Sequence, residues 1–136
     1  MRSLGIDFGL KRVGLAVTDP DGRMAFPYTT LVKKDTTTFF RELLAIVEQE
    51  NIQTIVVGLP RSLDGQETMR SRQVHNFVLR LKRRTALPVV LAEEGLSSWE
   101  AEERLQAAGL SPEKRKAVRD QEAAVIILER YLSRCS

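Results

Sequence analysis

Carboxylates stand at three points of the sequence where an apolar segment meets a turn or a polar segment. Asp7 follows an apolar run, Glu93 and Glu94 follow a second, and Asp120 precedes a helical pattern of apolar residues. Like charges about 4 Å apart repel each other by several kcal/mol near a protein surface. If these acids come together, the cluster therefore needs bound divalent cations or raised pKa values.

Other chemistries find little support in the residue types. The chain has 1 Cys, Cys135, and 1 His, His75, which cannot form a disulfide framework or a Cys/His zinc site. Cys135 is in the C-terminal tail and His75 in a helical pattern, so no covalent nucleophile is evident. Any catalytic metal must bind oxygen ligands, as Mg²⁺ and Mn²⁺ prefer to do beside phosphate-rich substrates.

Basic residues are concentrated in two parts of a chain whose net charge is only +3. No acid occurs between Thr68 and Ala92, and a second basic group spans residues 114–119. Each group alone is equally consistent with a solvated helix face. Together they favour a phosphate-bearing partner.

The segments that must position these residues have clear periodicities. Apolar β-type runs predict strands at residues 2–7, 13–18, 23–30, 54–58 and 88–92, the last two buried on both faces. Pro27 lacks a backbone N–H, so the third strand is expected at a sheet edge. Apolar residues at helical spacing predict helices from Asp35 or Thr36 to near Asn51, over 74–81, from 97 to 105, and from Asp120 onwards.

The order of these segments is β-β-β-α-β-α-β-α-α, which predicts a single α/β domain over residues 1–136. Three strands form an antiparallel meander, and two parallel strands complete a mixed five-stranded sheet flanked by helices, an order typical of the ribonuclease H-like fold. The carboxyl ends of parallel strands lie at one edge of such a sheet. The three acidic sites are therefore expected to converge there.

Four segments resemble, in order, the motifs of the YqgF-type family of pre-16S rRNA nucleases and Holliday-junction-resolvase-like proteins. The first contains Asp7-Phe8-Gly9, and the second joins Gly58-Leu59-Pro60 to Asp64-Gly65. The third, Glu93-Glu94-Gly95-Leu96-Ser97, stands where the family has Asp-Glu-Arg-Leu-Ser/Thr, and the fourth is Asp120-Gln121-Glu122-Ala123-Ala124. The resemblance covers almost the whole chain.

The resemblance implies a ribonuclease H-like nuclease domain in which Asp7, Glu94 and Asp120 hold catalytic Mg²⁺ or Mn²⁺ ions. Glu94 aligns with the middle acid of the family motif, whereas Gly95 replaces its arginine and removes a contact to phosphate or carboxylate. Two such ions would support in-line hydrolysis of a phosphodiester bond. The side chains expected to grip backbone phosphates are Lys11, Arg12, Arg61, Lys114, Arg115, Lys116 and Arg119.

The function expected from the resemblance is endonucleolytic maturation of the 5′ end of pre-16S rRNA, with structured RNA precursors and ribosomal particles as partners. Three alternatives remain open. One is a Holliday-junction-resolvase-like nuclease that cuts branched DNA in recombination and repair, and another is a non-catalytic nucleic-acid-binding factor in ribosome biogenesis. The third is an ATPase lobe of the actin and sugar-kinase type, because Asp7-Phe8-Gly9 with Gly14 also resembles the phosphate-binding turn of those proteins.

The remaining expectations concern location and assembly. The sequence has no secretory signal and no apolar run of about 18 residues, so a cytoplasmic protein without a membrane partner is expected. No exposed apolar dimer face is evident, so a monomer is favoured over the two-fold dimer with which junction resolution is ordinarily performed.

Overall fold

The computed structural model describes residues 1–60, 68–93 and 97–135. Its elements are β1 (Ser3–Asp7), β2 (Arg12–Thr18), β3 (Ala25–Val32), α1 (Thr36–Gln49), β4 (Thr54–Leu59), α2 (Met69–Lys82), β5 (Val89–Glu93), α3 (Ser97–Ala107) and α4 (Pro112–Cys135). The strands form one sheet in the order β3-β2-β1-β4-β5. β1, β2 and β3 are antiparallel neighbours, whereas β4 is parallel to β1 and β5 to β4. The predicted mixed five-stranded sheet is confirmed.

The third strand lies at the edge of the sheet, as the proline predicts, but it begins later than expected. The Asp19 carboxylate accepts hydrogen bonds from the backbone N–H groups of Arg23 and Met24, at 2.7 and 2.9 Å. These bonds hold the two residues in the turn, so β3 begins at Ala25 instead of residue 23. The register with β2 shifts between Leu15 and Ala16, close to Pro27.

The predicted burial of the fifth strand is wrong. β5 is the other edge strand, with β4 as its one neighbour in the sheet. Val89, Val90 and Leu91 are half-buried, and Ala92 is the fully buried residue of the strand. A continuous apolar run therefore marks an edge strand here, because one side of β5 has no further strand beside it.

The predicted start of the last helix is also wrong. α4 begins at Pro112, so Asp120 lies inside the helix instead of opening it. Proline is well suited to the first turn of a helix because its missing N–H is not needed there. Ser111 precedes it, and its carbonyl accepts the backbone N–H of Arg115 at 2.9 Å. The basic residues 114–119 thus form the first turns of a 24-residue helix.

Different kinds of side chain cover the two faces of the sheet. On the α1/α2 face, large residues of the strands pack against those two helices in the larger core, which includes Phe39, Phe77 and Leu81. On the α4 face, Ala16, Val56 and Ala92 pack against that helix. Full burial of an aliphatic side chain contributes about 1.5–3 kcal/mol, so both faces hold their helices firmly.

The helices of the described residues show no membrane-spanning character, since none is both long and apolar enough to cross a bilayer. The longest, α4, carries charged side chains along much of its length. Its apolar stripe is used against the sheet, where Ala124, Ile127 and Leu128 are fully buried.

Candidate functional site

The site is built where α4 crosses the ends of β1 and β2. Asp7 ends β1 and pairs in register with Gly14 of β2. A Cβ added at Gly14 would lie 2.1 Å from the backbone oxygen of Asp120. Only glycine allows this close approach of strand and helix. The backbone of α4 is therefore held directly over the strand residue that pairs with Asp7, which brings Asp120 to the same place.

A second glycine fixes the same helix further along. Gly5 and Asp7 lie on the same face of β1, because alternate strand residues do. A Cβ at Gly5 would lie 2.5 Å from Cγ of Leu128 and 3.0 Å from the carbonyl oxygen of Ala124. α4 is thus seated on the strands at two separate points, which sets both its position and its rotation.

Asp7 and Asp120 line one cavity of about 490 Å³. An adjoining groove of about 630 Å³ shares Phe8, Gly9, Arg12, Arg70 and Asp120 with it. We call the two together the carboxylate groove. The other residues of the cavity are Trp99, Glu102 and Arg119, and those of the adjoining groove are Leu10, Lys11, Met69 and Gln73.

Each of the two carboxylates lies beside an arginine. Arg70 Nη2 donates to Oδ1 of Asp7 at 3.3 Å, and Arg12 Nε donates to Oδ2 of Asp120 at 3.1 Å. The Asp7 side chain is 7% exposed, whereas those of Arg70 and Arg12 are 48% and 43% exposed. The positive charge therefore comes from side chains that reach in from solvent, while Asp7 is nearly enclosed by the protein.

The third predicted acidic site is only partly described. Glu94 and Arg61 lie outside the described residues. Glu93 ends β5, and its carboxylate lies 4.0 Å from Nη2 of Arg134. Arg134 is about 21 Å further along α4 than Asp120, from the rise of a helix. Among residues 1–60, 68–93 and 97–135, no group of three or more acidic, His or Cys side chains could hold a metal ion. Of the predicted acidic sites, the described residues thus bring together Asp7 and Asp120.

The predicted phosphate-binding residues occupy different positions around the groove. Lys11, Arg12 and Arg119 line it. Lys114 and Lys116 are exposed on the first turns of α4. A nucleic acid strand bound in the groove would therefore contact the cations that line it. Lys114, Lys116 and Arg119 lie on the same helix as Asp120.

Arg115 differs from its neighbours because its guanidinium is already engaged. Its Nε donates to Oε1 of Glu102 at 2.9 Å, and its Nη1 donates to the carbonyl of Leu110 at 2.9 Å. These bonds join the start of α4 to α3 and to the connection between them. The geometry favours a structural role for Arg115 over phosphate binding.

Further ion pairs hold α3 against α4. Arg104 Nη1 donates to Glu129 at 2.8 Å and to Glu122 at 3.4 Å. The hydrogen bond that Arg104 donates to Glu129 is the main cause of the raised pKa of Arg104, against the opposing effect of burial. Arg130 donates to Glu100 in the same way. These contacts place α3 so that Trp99 and Glu102 reach the cavity.

Sequence reasoning did not assign Arg70, Trp99 or Glu102 to the site. Arg70 lies in the long stretch without acids and in the first turn of α2. Its position shortly after the end of β4, a strand beside β1, is the signal that could have found it. The positions of Trp99 and Glu102 depend on how α3 packs on α4, and no local pattern contains that information.

The groove has the donor chemistry of a hard-cation site. Asp7 and Asp120 present carboxylate oxygens from two different elements into one polar cavity, and Mg²⁺ is typically held by one or two carboxylates plus substrate phosphates. A nearly enclosed carboxylate such as that of Asp7 requires a positive neighbour. The residues present therefore fit a divalent cation.

Comparison with solved structures defines the class of fold. The Thermus thermophilus RuvC structure in complex with a Holliday junction substrate superposes with a TM-score of 0.61 at 18% identity, covering 100% of this chain and 97% of that one. The fowlpox virus Holliday junction resolvase gives a TM-score of 0.60 at 11% identity, with 100% of both chains covered. At these identities the likeness shows the fold, which is the ribonuclease H-like fold of RuvC-type resolvases.

The sequence itself shows the family. The family model described as "RuvX: Holliday junction resolvase" matches residues 1–134, so the chain belongs to this family. A protein of Oleidesulfovibrio alaskensis, named "Putative pre-16S rRNA nuclease", is 55% identical over 133 residues, which cover 98% of this chain and 92% of that protein. The resemblance drawn from the four sequence motifs is confirmed.

Proposed function

We propose that the chain is a metal-dependent endonuclease that hydrolyses phosphodiester bonds in the 5′-end maturation of pre-16S rRNA. The observation that carries this proposal is the approach of Asp7 and Asp120 to one cavity, which the missing side chain of Gly14 permits. The family match and the name of the relative support the nuclease class. Precursor ribosomal particles in the cytoplasm would then be its partners.

The third metal-binding carboxylate in this proposal is that of Glu94. Glu94 aligns with the middle acid of the family motif, and this alignment is the ground for choosing it over Glu93. The carboxylate of Glu93 lies 4.0 Å from Nη2 of Arg134. The family motif thus favours Glu94 as the third metal-binding carboxylate.

The side chains of the groove have separate tasks. Asp7, Asp120 and Glu94 would hold Mg²⁺ or Mn²⁺, which when bound supplies Lewis acidity and lowers the pKa of a coordinated water. Arg12 and Arg70 already lie beside the carboxylates and are half exposed, so they can turn toward a phosphate that enters the groove. Lys11 and Arg119 line the walls and orient the strand.

Selectivity should come from the shape of the substrate. Phosphate contacts fix the position of a strand but carry no sequence information. Aromatic residues make up 6% of the chain, and all five phenylalanines except Phe26 are buried in the larger core. Among the described residues, Trp99 is the exposed ring that lines the cavity, so base stacking is limited to few side chains. A structured RNA precursor therefore suits a groove that binds mainly the phosphate backbone.

The test is cleavage of three matched substrates in Mg²⁺ or Mn²⁺: a pre-16S rRNA 5′ leader, single-stranded DNA and a four-way DNA junction. We expect cleavage of the RNA leader, and its loss in Asp7→Asn, which removes the charge and keeps the shape. Asp21→Asn, at an exposed turn residue, is the matched control and should cleave normally. Binding of the leader without cleavage in either metal would contradict the proposal and favour the non-catalytic factor.

A second candidate is a resolvase acting on branched DNA, which the printed description of the family favours. Symmetric cutting of two strands ordinarily requires a two-fold dimer. The same three-substrate assay, combined with sedimentation of the protein alone and with junction DNA, separates the candidates. Paired cuts in the junction by a dimeric species would replace the RNA proposal.

A further inference from the structure

A second, smaller cavity lies on the other side of Phe8. It has a volume of about 190 Å³ and is bounded by the rings of Phe8, Phe39, Phe40 and Phe77. Its polar lining consists of two cations, two amides and a hydroxyl: Lys33, Arg80, Gln73, Asn76 and Thr36. We call it the Lys33 pocket. Because a water molecule occupies about 30 Å³ in the liquid, the pocket has room for a group of several heavy atoms.

No acid of the described residues neutralises the two cations of the Lys33 pocket. The described residues that line the pocket include no carboxylate. Within the described part of the chain, neither Lys33 nor Arg80 forms an ion pair. Burial lowers the pKa of Lys33, and the charge of Arg80 lowers it further. Two positive charges thus lie close enough to disfavour each other, and an anion between them would relieve that repulsion.

The aromatic rings account for only part of this arrangement. Lys33 Nζ lies 4.7 Å from the ring centre of Phe8 and 5.4 Å from that of Phe39. Such contacts stabilise a cation by about 0.5–2 kcal/mol. They explain why Lys33 is drawn inward, but they do not explain a second cation and two amides around the same space.

The neutral groups of the pocket are suited to an oxyanion. Gln73 and Asn76 provide side-chain N–H donors, and Thr36 provides a hydroxyl. Thr36 is also the first residue of the 14-residue helix α1 and directly follows Asp35, whose carboxylate already caps the N-terminus of that helix. The donors come from α1 and α2 and line the same pocket as Lys33.

The Lys33 pocket adjoins the carboxylate groove. Phe8, Leu10 and Gln73 line both. Phe8 directly follows Asp7, and its ring stacks on that of Phe77 at a centroid distance of 4.4 Å. This rigid ring separates the two sites, so a polymer lying along the groove would pass from Asp7 over Phe8 to the pocket.

We propose that the Lys33 pocket binds a backbone phosphate of the nucleic acid strand whose cleaved phosphate lies at Asp7 and Asp120. The proposal rests on the proposed nuclease function and adds a positioning subsite to it. Lys33 and Arg80 supply the charge, while Gln73, Asn76 and Thr36 supply hydrogen bonds. Such a subsite sets the register of the strand relative to the reacting carboxylates.

The first experiment measures binding without cleavage, in EDTA, to a fluorescent 2′-O-methyl RNA strand. The pocket variant is Lys33→Met with Arg80→Gln, which removes both charges and keeps part of the apolar stem of each side chain. The matched control is Lys34→Met with Arg83→Gln, which makes the same charge change at exposed neighbours outside the pocket. We expect the pocket variant to bind roughly tenfold more weakly at 0.1 M salt, with a salt slope shallower by about 0.7 per lost phosphate contact.

The second experiment tests whether a strand phosphate is the group that is bound. One linkage at a time is replaced by an uncharged methylphosphonate along the strand. In the wild-type protein several positions should weaken binding, and in the pocket variant the replacement at the linkage bound by the pocket should lose its effect while the others keep theirs. The proposal is overturned if no replacement loses its effect in the pocket variant. It is also overturned if the control variant weakens binding as much as the pocket variant does.

Two further measurements keep the outcome decisive. If the double variant is unfolded by circular dichroism, Arg80→Gln alone replaces it, because Arg80 is exposed and tolerates substitution. Inorganic phosphate is titrated as a probe of a free anion. If phosphate shifts the NMR signals of the Gln73 and Asn76 side-chain amides while no methylphosphonate replacement loses its effect in the pocket variant, the pocket binds a free anion. The strand proposal is then wrong. Because no metal is present, failure here is distinct from failure of RNA cleavage.

Discussion

The two faces of the sheet hold their helices by opposite means. On the α1/α2 face, large side chains such as Leu43, Phe77 and Leu81 fill the space between helix and strands. On the α4 face, Gly5 and Gly14 leave no side chain at all where the helix crosses them, and Cβ atoms there would lie 2.5 and 2.1 Å from it.

This difference separates stability from positioning. A layer of interdigitating side chains can adjust to a changed methyl group by small shifts. A helix backbone in contact with a strand backbone has no such freedom, since the obstructing atom at Gly14 is the Asp120 carbonyl oxygen. The α4 face therefore determines where a functional carboxylate lies, and the α1/α2 face contributes the larger share of buried apolar surface.

The largest effect is expected from neutralising the carboxylate that α4 carries. Asp120→Asn should lower metal-dependent cleavage by more than about a hundredfold, because even outer-shell partners of a metal cost about 10–100-fold. Glu94→Gln should behave in the same way. Glu93→Gln, whose carboxylate lies near Arg134, should remain within about twofold of wild type. Cleavage rates at saturating Mg²⁺ decide this, and a larger loss in Glu93→Gln than in Glu94→Gln would reverse the assignment.

The next largest effect on cleavage is expected from a substitution at Gly14, which we compare with one at Val13, its neighbour on the opposite face of the sheet. Gly14→Ala pushes α4 outward, and Val13→Ala leaves a cavity in the larger core. Each should cost about 1–3 kcal/mol of unfolding free energy in urea titrations. Per folded molecule, only Gly14→Ala should lose cleavage, by roughly a hundredfold, because a displacement of about 1 Å is enough for that. Equal activity in the two variants would show that the approach of α4 does not position the site.

The sequence predicts the sheet well because its strands are short, apolar and separated by clear turns. It also predicts that Asp7 ends the first strand, and an acid at the end of a buried strand is uncommon. It fails at the start of α4, because residues 113–117 contain one apolar side chain, an alanine, and so show no amphipathic pattern. Their Glu, Lys and Arg residues nevertheless favour a helix, and the helix extends back to Pro112.

The contacts of the site are harder to predict than its acids. Arg70 reaches Asp7 across 63 positions of sequence, and Arg12 reaches Asp120 across 108. Each pairing depends on how an exposed arginine folds over a strand end, and many other cations in the chain could do the same. The sequence shows the basic group that contains Arg70, and it offers Arg12 as a phosphate contact. That each of these arginines lies beside a carboxylate follows from tertiary packing.

A smaller effect distinguishes the two arginines. Arg70→Gln removes a cation from the nearly enclosed Asp7 and should lower stability at pH 7 by about 1 kcal/mol, allowing for the exposure of Arg70. Arg12→Gln should cost less than about 0.5 kcal/mol, since Asp120 is more open to solvent. Added Mg²⁺ should then raise the melting temperature of Arg70→Gln more than that of Arg12→Gln. An identical Mg²⁺ response in both variants would mean that Arg70 and the cation do not compete for Asp7.

The smallest effect concerns α1, which is fixed by a cap and by side chains instead of glycine contacts. Asp35 caps α1 by accepting hydrogen bonds from the backbone N–H and the hydroxyl of Thr38, at 2.7 and 2.9 Å. These bonds, the backbone one first, lower the pKa of Asp35 from its ordinary value of 3.8. A carboxyl whose pKa is lower in the folded than in the unfolded protein adds stability above the unfolded value, and this is lost as the pH falls through the folded value. Asp35→Asn keeps a capping side chain, so its melting temperature should be slightly below wild type at pH 7 and should converge on it as the pH falls below the folded pKa of Asp35, with cleavage unchanged. A deficit that persists at low pH would show that the charge is not what Asp35 contributes, and a loss of cleavage would show that the α1/α2 face also positions the site.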